Sequence, residues 1–153
     1  MSRWLLRSSL ALSVLAVGLA GYLTITHYTD PTALACPDSG VINCTLVTTS
    51  SWSVLCGVPV AVWGLAWAVG MAALTLPWAW RLHSVWVNRV RLAGAVAGGA
   101  MVLYLVYVEL FRVDAICLWC TGVHLTALAL LGVVSSARAI QLREARASAS
   151  ASS

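Results

Sequence analysis

The chain has 153 residues, of which 61% are hydrophobic and 9% charged, and its mean hydropathy is +0.90. Too little polar surface remains to coat a water-soluble domain of this size. The net charge of +4 does not mark a nucleic-acid surface either, because the basic residues are all arginines placed at the ends of apolar segments, where they act as a topology signal.

A bilayer core is crossed by about 20 apolar residues in a helix, and four segments qualify, at about 8–26, 55–76, 92–111 and 115–137. They predict an all-α integral membrane protein, a four-transmembrane-helix bundle making one domain over residues 1–147, with residues 148–153 as a disordered tail. Arg3 and Arg7 precede the first segment. Together with the apolar run and Ala33-Leu34-Ala35 they also resemble a cleavable signal peptide, but the run exceeds the roughly 7 to 15 residues of a signal core and ends well before Ala35. A lipoprotein site at Cys36 is disfavoured by the position of the leucine.

Residues 28–54 form a polar loop without Lys or Arg, carrying Asp30 and Asp38. Arg81, Arg89 and Arg91 fall between the second and third segments, Arg112 beside Asp114 in the short third connection, and Arg138, Arg143 and Arg146 after the fourth. Excess arginine marks cytoplasmic regions, so both termini and the 81–91 connection are expected inside, and the 28–54 loop and the 112–114 connection outside. Trp4, Trp78, Trp80 and Trp86 then fall near the inner interface and Trp52 and Trp119 near the outer one.

On that topology four of the five cysteines share the outer face, where an oxidising compartment lets disulfides persist. Cys36 and Cys44 bracket a stretch with Pro37 and Gly40 that suits a small disulfide loop. Its plain reading is a structural staple. Cys117-Leu118-Trp119-Cys120 has the Cys-x-x-Cys spacing of thiol oxidoreductases and opens a helix, whose free N–H groups favour a thiolate. Half a metal site, a zinc site completed by Cys36 and Cys44, and a chance pairing are the competing readings. A c-type haem is disfavoured by Thr121, since that motif needs histidine after the second cysteine. Two pairs on one face suggest a relay, because exchange proceeds through mixed disulfides. A lipid-soluble quinone is the expected electron acceptor.

Cys56 reads as a small buried hydrophobe. Glu109, near a membrane end of its helix, reads either as a functional carboxylate or as an interfacial ion pair with Arg112 at i+3. Met71, Met101 and the glycines 94, 98 and 99 read as helix packing.

The run from Val41 to Trp52, Gly57-Val58-Pro59 with Gly64, and Ile116-Cys117-Leu118-Trp119-Cys120 with His124 resemble the vitamin K epoxide reductase family in its bacterial quinone-linked form. The resemblance spans about Cys36 to Val134. It implies a bundle around a quinone pocket with a short capping segment after Cys44, in a bacterial plasma membrane, and oxidation of a separate thioredoxin-fold protein similar to DsbA. By the same resemblance, Cys36 meets the partner's thiol, Cys44 exchanges with Cys117, and Cys120 faces the quinone, menaquinone or ubiquinone. Ser50 and His124 are implied as quinone contacts. Val60 departs from the pattern, standing where many relatives carry an asparagine that contacts the quinone or steadies the cap. Metal transport through paired cysteines, a purely structural membrane subunit, and vitamin K quinone or epoxide reduction remain as alternative functions.

Overall fold

The computed structural model describes residues 3–36, 40–82 and 84–151. Asp38, with Pro37 and Ser39 of the expected cysteine loop, and Ser152 and Ser153 of the expected tail lie outside them. Helix α1 (Arg3–Thr29) buries Leu5, Ser9, Ser13, Ala16, Ala20 and Leu23, the 3–4 spacing of a single helix face. Its hydroxyls do not remain unpaired in that apolar setting. Ser9 and Ser13 each donate to a carbonyl one turn back, at 3.0 and 2.9 Å, as polar side chains within a membrane helix must.

The expected second helix at 55–76 is divided. Val54–Leu55 and Val58–Pro59 pair as a two-stranded antiparallel hairpin, and helix α3 (Val60–Thr75) follows. Cys56 and Gly57 form the two-residue tip with φ of 54° and 79°, as a turn with two left-handed residues requires. Cys56 is therefore an exposed free thiol, which corrects its reading as a buried hydrophobe. Between α1 and the hairpin lie a 3₁₀ turn (Pro31–Ala33), helix α2 (Cys44–Thr49) and a second 3₁₀ turn (Ser51–Ser53). Asp30 caps the first turn, and hydrogen bonds from the Thr32 hydroxyl and N–H hold its carboxylate below the ordinary range.

After α3, Pro77 opens the short helix α4 (Pro77–Arg81), and α5 (Val85–Val108) passes into a π-helical turn (Glu109–Val113). The third helix thus begins earlier than expected. Arg89 and Arg91 lie within it, and Arg91 is 1% exposed. Its guanidinium donates to the carbonyls of Leu74 and Ala79 and to Asn88 Oδ1, at 2.8, 3.1 and 2.7 Å, and stacks on Trp80. Those partners satisfy its charge inside the fold, which is why it need not lie in a polar connection.

Helix α6 (Leu118–Ala151) continues into the segment expected to be disordered, as far as Ala151. Ala, Arg, Gln, Leu and Glu from position 137 to 147 are strong helix formers, and Ser148 and Ser150 fold their hydroxyls back onto Ala145 and Ala147 at 2.9 Å. Among the described residues, α1, α5 with its π turn, and α6 are long and apolar enough to cross a membrane by themselves. The 16-residue α3 is about 24 Å long at 1.5 Å per residue, shorter than a roughly 30 Å hydrocarbon core.

Helix α3 runs antiparallel to both α1 and α5: Gly21 meets Leu65 while Ser13 meets Thr75, and Gly94 meets Met71 while Gly98 meets Trp67. Met71, Ala95, Leu130 and Val134 fill the middle, and Leu5, Trp80 and Ala137 one end. A β-carbon on Gly94, Gly98 or Gly99 would strike Met71, Trp67 or Leu131, so the expected close packing at those glycines is present. Apart from Arg112, the arginine-bearing segments gather at the Leu5 end and the paired cysteines at the other.

Candidate functional site

At the cysteine end, Leu23, Leu34, Cys44 and Cys117 make one buried cluster, with Cys36 and Cys120 packed against it. Cys36 and Cys44 are joined by a disulfide with Cα atoms 6.1 Å apart, and Cys117 and Cys120 by a second at 5.2 Å. Neither pair contributes to a tetrathiolate metal site in this arrangement. The two pairs are brought together by backbone pairing: Ile116 N–H donates to Val41 O at 2.9 Å and Asn43 N–H to Ile116 O at 3.1 Å, a parallel bridge of Ile42 with Ile116. That bridge sets Cys44, the next residue after Asn43, beside Cys117, the next after Ile116.

The other arm of the loop is held as well. Trp119 Nε1 donates to Ala35 O at 3.0 Å, and Ala35 N–H donates to Tyr22 Oη at 3.2 Å, with the Tyr22 and Trp119 rings 4.6 Å apart. Cys36 follows directly. Both arms of the disulfide loop are thus fastened to the start of α6 or to α1.

Cys117 is the residue just before α6, and its Sγ accepts the N–H of Cys120 at 3.1 Å. This is the bond an N-cap side chain makes to the third helical residue, and a thiolate there is favoured further by the helix dipole. Asn43 does the same for α2, accepting from Leu46 N–H at 2.8 Å, so each inner cysteine sits at a helix start. Exposure changes along the series: Cys44 and Cys117 are 1% and 0% exposed, while Cys36 and Cys120 are half-buried.

Cys120 also lines a cavity of about 230 Å³ among α1, α3, α5 and α6. The segment after Cys44 covers it, with Val47, Thr48, Ser50, Trp52 and Ser53 in its wall. Ser50 and His124, both expected near a bound ring, line it, as does Val60. Ser50 Oγ donates to Val47 O at 2.8 Å. His124 is 6% exposed and its imidazole makes no hydrogen bond among the described residues. The wall is otherwise largely apolar, with Trp63, Trp67, Met101, Val102 and Leu105 prominent.

Two wall residues escaped the reading of the sequence. His27 lies four residues after Leu23 on the buried face of α1, and that spacing was a usable signal. Trp67 follows Val60, Ala61 and Gly64 at helical spacing on α3, but its size among other tryptophans hid its direction. Glu109 was noticed, yet its expected partner is wrong. It lines the cavity at 6% exposure, while Arg112 stacks over Trp52 with 5.4 Å to the ring centroid. A π turn winds wider than an α-helix, so positions i and i+3 no longer share a face.

A membrane-helix bundle with two adjoining cysteine pairs, one of them on the wall of an apolar cavity, has the parts of a membrane thiol oxidoreductase. The family model of the vitamin K epoxide reductase family matches residues 8–135, and the chain is a member of that family.

Proposed function

We propose that the protein oxidises an extracytoplasmic thioredoxin-fold protein similar to DsbA and passes the electrons to a membrane quinone, menaquinone or ubiquinone. In this reading it lies in a bacterial plasma membrane as four spanning helices, α3 included, with both termini cytoplasmic and the cysteine end outside. The observation that carries the reading is the order of the sulfurs: half-buried Cys36, buried Cys44, buried Cys117, then Cys120 on the cavity wall.

The partner's thiolate attacks Cys36 and Cys44 leaves. The partner's second thiol then releases Cys36, so the partner is oxidised and the loop pair reduced. Cys44 attacks Cys117 and expels Cys120; Cys36 then attacks Cys44, closing the loop disulfide again and leaving Cys117 and Cys120 reduced. The N–H of Cys120 on Cys117 Sγ favours the thiolate released in that last step. When the Cys117–Cys120 bond closes, two electrons and two protons leave the pair.

A quinone supplies the acceptor for both. The residues present fit one: the wall is mostly apolar, Cys120 is part of it, and the buried imidazole of His124 has no partner among the described residues and is available to a carbonyl oxygen. His124 would hold one oxygen, with Ser50 as a second polar residue of the wall, while Val60 offers no polar contact.

The test is anaerobic quinone reduction by purified protein with a reduced thioredoxin-fold donor, both quinones supplied. Wild type is expected to turn over and Cys120→Ala to fall to background. Cys44→Ala should lose donor oxidation yet keep quinone reduction by a small dithiol. No activity in wild type, or equal loss of both activities in Cys44→Ala, would overturn the relay.

A further inference from the structure

We propose that Glu109 is an acid–base residue of the cavity, giving a proton to the quinone oxygen that His124 does not serve. The inference rests on the quinone reading above and adds a residue to it. Cys120 and His124 enter the cavity from α6, whereas Glu109 enters from the π turn that ends α5. Its carboxyl makes no hydrogen bond or ion pair among the described residues, although it is 6% exposed. An uncompensated carboxyl in an apolar membrane setting is costly and is found where chemistry uses it.

The backbone around it is built for one position. Glu109 O accepts the N–H of Asp114, which has a left-handed φ of 53°, and the N–H of Ala115 at 3.2 Å. Ala115 leads directly into the Ile116 bridge and Cys117. The same short segment therefore fixes both the carboxyl and the inner sulfur. π turns occur frequently at functional sites, and this one turns Arg112 onto Trp52, away from pairing with Glu109.

Proton balance requires two acid–base events per turnover. Closing the Cys117–Cys120 disulfide releases two electrons and two protons, and reduction of the quinone takes up both. Glu109 gives one proton to one oxygen, His124 gives the other, and each regains one of the two that the sulfurs release. The titratable groups facing the cavity are His27 from α1, Cys120 and His124 from α6, and Glu109 itself; the described wall residues of α2 and α3 contribute none.

The experiment compares wild type with Glu109→Gln and Glu109→Asp. Glu109→Gln should oxidise the donor's thiols stoichiometrically as wild type does and bind menaquinone within twofold, read by quenching of tryptophan fluorescence. Its steady-state turnover should fall about a hundredfold, the lower range for losing a general acid–base group, and the pH profile should lose one limb, with Glu109→Asp recovering part of each. In wild type, menaquinone should shift a carboxyl infrared band that is missing from Glu109→Gln. Normal turnover in Glu109→Gln, a loss of binding as large as the loss of turnover, or an unshifted carboxyl band in wild type would each overturn the role. If wild type reduces no quinone at all, the parent reading fails instead, before the variants are compared.

Discussion

The two ends of the bundle treat buried polar groups in opposite ways. At the arginine end, Arg91 has three hydrogen bonds and a stacked ring. Deeper in the same half, Thr75 Oγ1 is shared with Ser13 Oγ at 3.1 Å. Among the described residues the exception there is Trp80 Nε1, which is buried without a partner, and its ring lies under the Arg91 guanidinium. At the cysteine end, the most buried ionisable groups, Glu109 and His124, line a cavity and have no partner among the described residues. Satisfied polar groups hold helices together; unsatisfied ones facing a cavity are available to something that enters it.

That contrast can be broken by mutation. The largest effect is expected at Arg91→Met. It leaves the Leu74 and Ala79 carbonyls without their donor, and stability should fall by about 3 kcal/mol or more, read as a lower thermal unfolding midpoint in detergent. Turnover per folded molecule should stay within twofold. Lost turnover with unchanged stability would show that the arginine end is functional after all.

A smaller effect belongs to Trp119→Phe, which removes the hydrogen bond to Ala35 O and keeps the ring on Tyr22. About 1 kcal/mol, or roughly fivefold, should appear as faster amide exchange in the arm preceding Cys36 and slower thiol transfer, with the unfolding midpoint almost unmoved. The smallest is Ser13→Ala, at about 0.5 kcal/mol, visible in unfolding alone. If the Ser13 change lowered thiol transfer as much as the Trp119 change, the two ends would not be separable in this way.

The sequence made the chemistry more legible than the geometry. Cys-x-x-Cys spacing and arginine-flanked apolar runs survive any detail of packing, so the cysteine end was readable from residues alone. Helix limits were not, because hydropathy treats Arg91 as a boundary, whereas carbonyls at the end of α3 and in α4 make it an interior residue. The tail's polarity suggested disorder, whereas helix formers in the turns before it, Arg143, Glu144 and Arg146 among them, carry α6 on to Ala151. Cys56 needed knowledge of the hairpin register, and Glu109 needed the π turn. Both depend on backbone winding that residue type does not encode strongly.

The fastened disulfide loop has a kinetic consequence. Because both arms remain attached when the Cys36–Cys44 bond opens, Cys44 meets Cys117 at an effective concentration set by the tether and not by the amount of protein, of millimolar order for short flexible links and higher for a prearranged one. In the proposed relay the exchange between the two cysteine pairs is intramolecular, and only the encounters with the partner and with the quinone are bimolecular. Diluting the partner would then slow the arrival of electrons without slowing their passage through the chain.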